Sequence, residues 1–119
     1  MSTTSRPAYF PKTRVDKALR RVQGVVEAAH YDEQGQLRWV RVHLRRFDAF
    51  ADHRILTRDE LVARLKAGQT FVLGKRHPFL GNTFELGPTL RLAEKHGQPF
   101  LVVEGHTTEE RELAGVPLL

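Results

Sequence analysis

VVEAAHY (25–31), DEQGQ (32–36) and LRWVRVHLRRF (37–47) form the stretch on which the fold turns. Two β-prone segments flank a connector with turn chemistry. Asp32 suits the first position of a type I turn, and Gly35 suits the left-handed residue that comes after it. A three-residue loop, Glu33–Gly35, sets Asp32 opposite Gln36. Ala28 is then expected opposite Val40, Val26 opposite Val42, and Glu27 opposite Arg41, where unlike charges favour the register. Side chains alternate between faces along a strand. One face therefore carries Val26, Ala28, Val40, Val42 and Leu44, a core-like set. The other carries Val25, Glu27, Ala29, Tyr31, Leu37, Trp39, Arg41, His43 and Arg45.

Downstream, residues 47–55 show no period and read as a connector. Thr57-Arg58-Asp59-Glu60 is a capping box, with Leu56 and Leu61 placed as a hydrophobic staple. This predicts a helix over 58–67 that buries Leu61, Val62 and Leu65 and closes at Gly68. Residues 70–73 read as a short apolar strand ending at Gly74, and residues 75–82 as a loop. A strand is expected over 83–86, broken at Gly87-Pro88. Glu94–Gln98 echoes Asp32–Gln36, so 89–104 reads as a second hairpin with the same turn. A helix from Pro88 to His96 is the alternative, and the alternation of Leu90 and Leu92 favours the hairpin. Residues 105–119 are polar and then end in Val116-Pro117-Leu118-Leu119, a tail able to dock or fray.

Upstream, residues 1–12 read as a flexible tail. Thr13–Asp16 matches a helix-capping pattern, and Val15, Leu19 and Val22 share one helical face, closed at Gly24. The expectation is a flexible tail and one α+β domain over 13–119: a small antiparallel sheet or partly open barrel of two hairpins plus short strands, with one or two helices packed on it.

The chain of 119 residues holds no cysteine, which excludes disulfides, zinc-thiolate sites, iron–sulfur clusters and thiol nucleophiles. With no signal peptide and no membrane-length apolar run, the expected location is cytoplasmic, away from membranes. Serine occurs only at Ser2 and Ser5, which argues against a serine hydrolase. Phosphate-loop, dinucleotide and HExxH signatures are missing. Asp48, Asp52 and His53 adjoin in the connector, but nothing completes a metal shell, so no metal or cofactor is expected. The six histidines are scattered. An enzyme is the least favoured reading.

The formal net charge is +5. It belongs to the N-terminal segment, where Arg6, Lys12, Arg14, Lys17, Arg20 and Arg21 face Asp16 alone; beyond Val22 the charges balance. Trp39, Arg41, His43 and Arg45 alternate onto one sheet face. A ring among basic groups on a sheet is how single strands of nucleic acid are held, by base stacking and phosphate contact. The candidate nucleic-acid residues are Arg14, Lys17, Arg20, Arg21, Trp39, Arg41, His43, Arg45, Lys75 and Arg76. The competing reading is a protein-interaction or homodimerisation module, with Trp39 in an apolar interface.

Overall fold

A computed structural model describes residues 22–47, 49–76 and 84–119. The helix expected over residues 13–21, the basic residues of that segment, and the tail 1–12 lie outside these residues. Val22 and Gly24, expected to end that helix, belong instead to a strand. Strand β1 spans Val22–Tyr31 and β2 spans Leu37–Arg46. The turn forms as its residues dictate: the Asp32 amide donates to Gln36 O (2.9 Å), and Asp32 Oδ1 accepts from the amides of Gln34 and Gln36, each at 2.9 Å. Gly35 takes the left-handed conformation, with φ 79°.

Register within this hairpin departs from simple alternation at two bulges. Val26 opposes Val42 as expected, but Ala28 then opposes Arg41 and Ala29 opposes Val40, so Glu27 is an extra residue in β1. A second shift makes Arg38 an extra residue in β2, placing Tyr31 opposite Leu37 and His30 opposite Trp39. Each bulge reverses the facing of the residues beyond it. Ala29, Tyr31 and Leu37 therefore join the main core cluster with Val26, Val40 and Val42, whereas Ala28, buried as expected, lies outside that cluster.

The connector after β2 hides two short strands, β3 (Ala49–Phe50) and β4 (Arg54–Thr57), both antiparallel to β2. Helix α1 (Arg58–Lys66) comes next. Its capping box is complete: Thr57 Oγ1 accepts from the Glu60 amide, and the Glu60 carboxylate accepts from the Thr57 amide. At the other end Gly68 adopts φ 90°, and the amides of Gly68 and Gln69 donate to Leu65 O and Arg64 O, closing the helix with a Schellman pattern.

From α1 the chain crosses over β2 and β1, and β5 (Thr70–Arg76) pairs parallel with β1. The sheet is thus mixed rather than antiparallel. A crossover helix returns the chain in its original direction, which a hairpin cannot do. Lys75 and Arg76 extend β5 instead of opening a loop; His77–Asn82, and Thr83 at the expected start of the next strand, lie outside the described residues. Strand β6 (Phe84–Lys95) runs without interruption through Gly87-Pro88, where a register shift against β5 absorbs the expected break. Strand β7 (Gln98–Val103) completes the second hairpin.

That second turn is shorter than the first. Lys95 opposes Gln98, and His96 and Gly97 take φ values of 54° and 77°, a two-residue connection. The difference lies at the leading acid. The short Asp32 side chain reaches amides two and four residues on, a geometry that the longer Glu94 does not reproduce.

The spatial order is β3-β2-β1-β5-β6-β7, with β4 also on β2. The architecture is a mostly-β, open, mixed sheet with one helix among the described residues. The main core lies on the helix face, where Leu61 and Val62 meet Val26, Val40, Val42, Leu56, Phe71, Leu90, Leu101 and Val103. The C-terminal segment docks rather than frays. Leu113 and Val116 are buried, Leu113 N donates to Leu101 O, and Ala29 exchanges hydrogen bonds with Pro117 and Leu119. This covers the outer edge of β7 and part of the edge of β1, which would otherwise invite strand addition.

Candidate functional site

On the sheet face opposite α1, alternation and the Glu27 bulge assemble a cluster of charged and aromatic side chains. Its deeper end is a second, smaller core of Val22, Val25, Phe50 and Val72, closed by Phe84 and Leu86. His43 sits there with no exposed surface. Its Nδ1 lies 3.0 Å from Ala51 O, and its Nε2 lies 2.8 Å from Glu27 Oε1. Phe84 lies against the imidazole with ring centroids 4.6 Å apart. Both ring nitrogens thus lie within hydrogen-bond distance of an oxygen, one on the backbone and one on a carboxylate. Glu27 also accepts from Arg41 Nε at 3.2 Å. Glu27, the extra residue of the bulge, thus bridges two partners on β2 through one carboxylate oxygen.

Toward the other end of the same face, His30 and Trp39 oppose each other across the hairpin. Their rings stack, with centroids 4.6 Å apart and planes 15° from parallel. Trp39 is half-buried. Helix α1 packs on the far side of the sheet, so among the described residues no helix covers this pair. Ile55 opposes Arg41 and Thr57 opposes Trp39 from β4, and both are exposed.

Between these ends lies a cleft of about 620 Å³. It opens where β5 diverges from β1 and before the C-terminal segment takes up pairing at Ala29. Glu27, Arg41, Lys75 and Glu85 supply its charges, and Gly74, Gly87, Pro117 and Leu118 form its apolar walls. Among the described residues no cluster of three or more His, Cys, Asp or Glu side chains is arranged to hold a metal ion. No helix among them is long and apolar enough to cross a membrane.

The structure thus sorts the candidate residues read from sequence. Arg41 and Lys75 share the cleft. Trp39 stands at its end of the face, paired with a ring that the sequence reading missed. His43 lies beneath the surface and serves as an internal hydrogen-bonding partner. Arg45 is half-buried, donates from Nη1 to Phe47 O at 2.9 Å, and lies over the Phe50 ring. Arg76 lies in β5 opposite Phe84. Arg14, Lys17, Arg20 and Arg21 lie outside the described residues. His30 was legible only through its register with Trp39, which the second bulge sets.

A second polar assembly lies where the C-terminal segment meets α1, β7 and the end of β1. Glu112 accepts from Arg58 Nη2 and from the Leu101 amide, each at 2.9 Å. Arg58 Nη2 also donates to Pro99 O at 2.6 Å, and the Tyr31 hydroxyl to Glu112 O at 2.6 Å. The Glu112 hydrogen bond raises the Arg58 guanidinium above its already high ordinary value, so its charge is permanent. Burial pushes the Tyr31 phenol up, against the opposing pull of Arg111.

No protein-family model matches the chain, and no curated protein or solved structure shows significant similarity to it.

Proposed function

We propose that the open sheet face is a binding face for single-stranded nucleic acid. The observation that carries this reading is the stacked, half-buried His30–Trp39 pair beside Arg41 on a face that no described helix covers. A preformed aromatic pair stacks a base at low entropic cost and tolerates any base, since every base has a π face. Arg41 and Lys75 supply cationic groups along the cleft, with their charge moderated by Glu27 and Glu85. Most of the long-range attraction comes in this reading from Arg14, Lys17, Arg20 and Arg21 on the N-terminal segment. Trp39 and Arg41 supply contact, the N-terminal cations supply steering, and His43 holds Glu27 and the bulge in place. No catalytic step is part of this reading.

The test is a titration of labelled single-stranded oligonucleotides across a salt series. Association that weakens steeply with salt and loses at least tenfold in Trp39→Ala supports the reading. No association at low salt removes it.

A second reading rests on a separate observation. Ile55 is 45% exposed and Leu118 is 66% exposed, and both border Arg41 or its cleft. Apolar groups so placed also suit a protein partner or a second copy of the chain. Sedimentation equilibrium separates the two. A dimer dissociated by Ile55→Asp supports the interface, and a monomer that binds oligonucleotide supports the first reading.

A further inference from the structure

A pocket of about 480 Å³ opens between the first hairpin turn, the second hairpin and the C-terminal segment. This lies within the range of small-molecule sites, roughly 300–1,000 Å³. Arg38, Arg58, Lys95 and Arg111 line it, against the carboxylates of Glu110 and Glu112.

The partners of those six groups decide what the pocket attracts. Glu112 is matched by Arg58, at 2.9 Å. Glu110 is bonded to His106 Nδ1 and to the Thr107 amide, each at 3.0 Å. These contacts hold its carboxyl below the ordinary carboxylate range, the His106 bond first. Arg38, Lys95 and Arg111 have no carboxylate within ion-pair distance among the described residues. Two of them rest on rings instead: Lys95 Nζ lies 5.0 Å from the Phe100 centroid, and Arg111 Cζ lies 5.0 Å from the Tyr31 centroid. A ring positions a cation without cancelling its charge.

The Arg38 bulge contributes directly. The extra residue in β2 lets Leu37 turn into the core while Arg38 lies exposed at the mouth of the pocket. Three sequence-distant cations thus converge on one concavity, each at a place set by the fold. Arg58, fixed by Glu112 and Pro99 O, forms part of the wall.

We infer that this pocket binds an oligophosphate group, through Arg38, Lys95 and Arg111. A single phosphate engages fewer of the three cations than a chain of two or three phosphates does, so affinity is set by the number of linked phosphates. Guanidinium groups also favour phosphate through paired N–H donors. None of the three cations lines the cleft or forms the His30–Trp39 pair, so the inference does not rest on the nucleic-acid reading.

The experiment is calorimetric titration of the full chain with inorganic phosphate, pyrophosphate, tripolyphosphate and a nucleoside triphosphate. The expected result is affinity rising at least tenfold from phosphate to tripolyphosphate, and falling at least tenfold in Arg38→Gln/Arg111→Gln. Both residues are exposed, so this variant is expected to keep the wild-type unfolding midpoint. Trp39→Ala leaves tripolyphosphate affinity unchanged. Equal affinity for tripolyphosphate and the nucleoside triphosphate identifies the phosphate chain alone as the ligand; tighter nucleotide binding identifies a nucleotide, with Phe100 beside the base. Binding of none of the four overturns the inference. So does binding that survives in Arg38→Gln/Arg111→Gln, which assigns the anions to other cations of the chain.

Discussion

Nε2 of His43 lies 2.8 Å from Oε1 of Glu27, and the imidazole is fully buried while the carboxylate side chain is 23% exposed. The contact joins a bulged residue of β1 to the interior of β2. Glu27→Ala leaves a buried imidazole nitrogen without its acceptor and releases Arg41. The expected cost is about 1–3 kcal/mol, the desolvation penalty of a polar group stranded without a partner. Urea denaturation measures it; an unchanged midpoint would show that the Glu27 bridge does not hold the bulge.

Gly24 tests the fit between the two parallel strands. A methyl group placed there would meet the Phe71 ring at 2.5 Å, and Phe71 is fully buried in the main core. Gly24→Ala is expected to destabilise by about 1–3 kcal/mol through overpacking. Thermal unfolding that matches the wild type would contradict the close approach of β1 and β5.

The helix start gives a prediction with a defined pH sign. Hydrogen bonds from the Thr57 backbone, and then its side chain, hold the Glu60 carboxyl below its ordinary value of 4.5. A lowered folded value means that the contribution is present above the unfolded carboxylate pKa. It is lost as pH falls through the folded value. An NMR titration of Glu60 should therefore show a midpoint below that of a free glutamate. Thr57→Ala should move it part of the way back and cost about 1 kcal/mol of stability as a lost cap.

Glu112 clamps the C-terminal segment. Its carboxylate joins Arg58 on α1 to the Leu101 amide on β7. Glu112→Ala is expected to cost about 2 kcal/mol, because Arg58 and a strand amide lose their shared partner in a mostly buried setting. Hydrogen exchange should accelerate first at Leu113 and Ala29, whose amides donate to Leu101 O and Pro117 O. Acceleration spread evenly over the sheet would argue against a local clamp.

Local chemistry made much of this legible in the sequence. Asp32 and Gly35 set the first turn, and Thr57, Glu60 and Gly68 set both ends of the helix. The features that stayed hidden were non-local or depended on a single inserted residue. The parallel pairing of β1 with β5 joins segments separated by a helix, and no short-range pattern announces it. The Glu27 and Arg38 bulges each reverse the facing of everything beyond them. Strict alternation therefore placed Ala29 outside the core, opposite to what the sheet does, whereas Ala28 is buried as expected but outside the main cluster. Of the candidate site, Trp39 and Arg41 were visible because their own strand alternates between them. His30 was not, since only the second bulge brings it opposite Trp39. The burial of His43 results from Phe50 and Phe84, which arrive from strands that local patterning did not place beside it.

Trp39 is the only tryptophan in the chain, so its intrinsic fluorescence reports directly on the proposed binding face. The decisive measurement is that emission during titration with an unlabelled single-stranded oligonucleotide at low salt. The account predicts saturable quenching as a base stacks against the His30–Trp39 pair, reversed by added salt and weakened by His30→Ala. Oligonucleotide binding that leaves the emission unchanged would place the nucleic acid elsewhere on the chain and contradict the central claim.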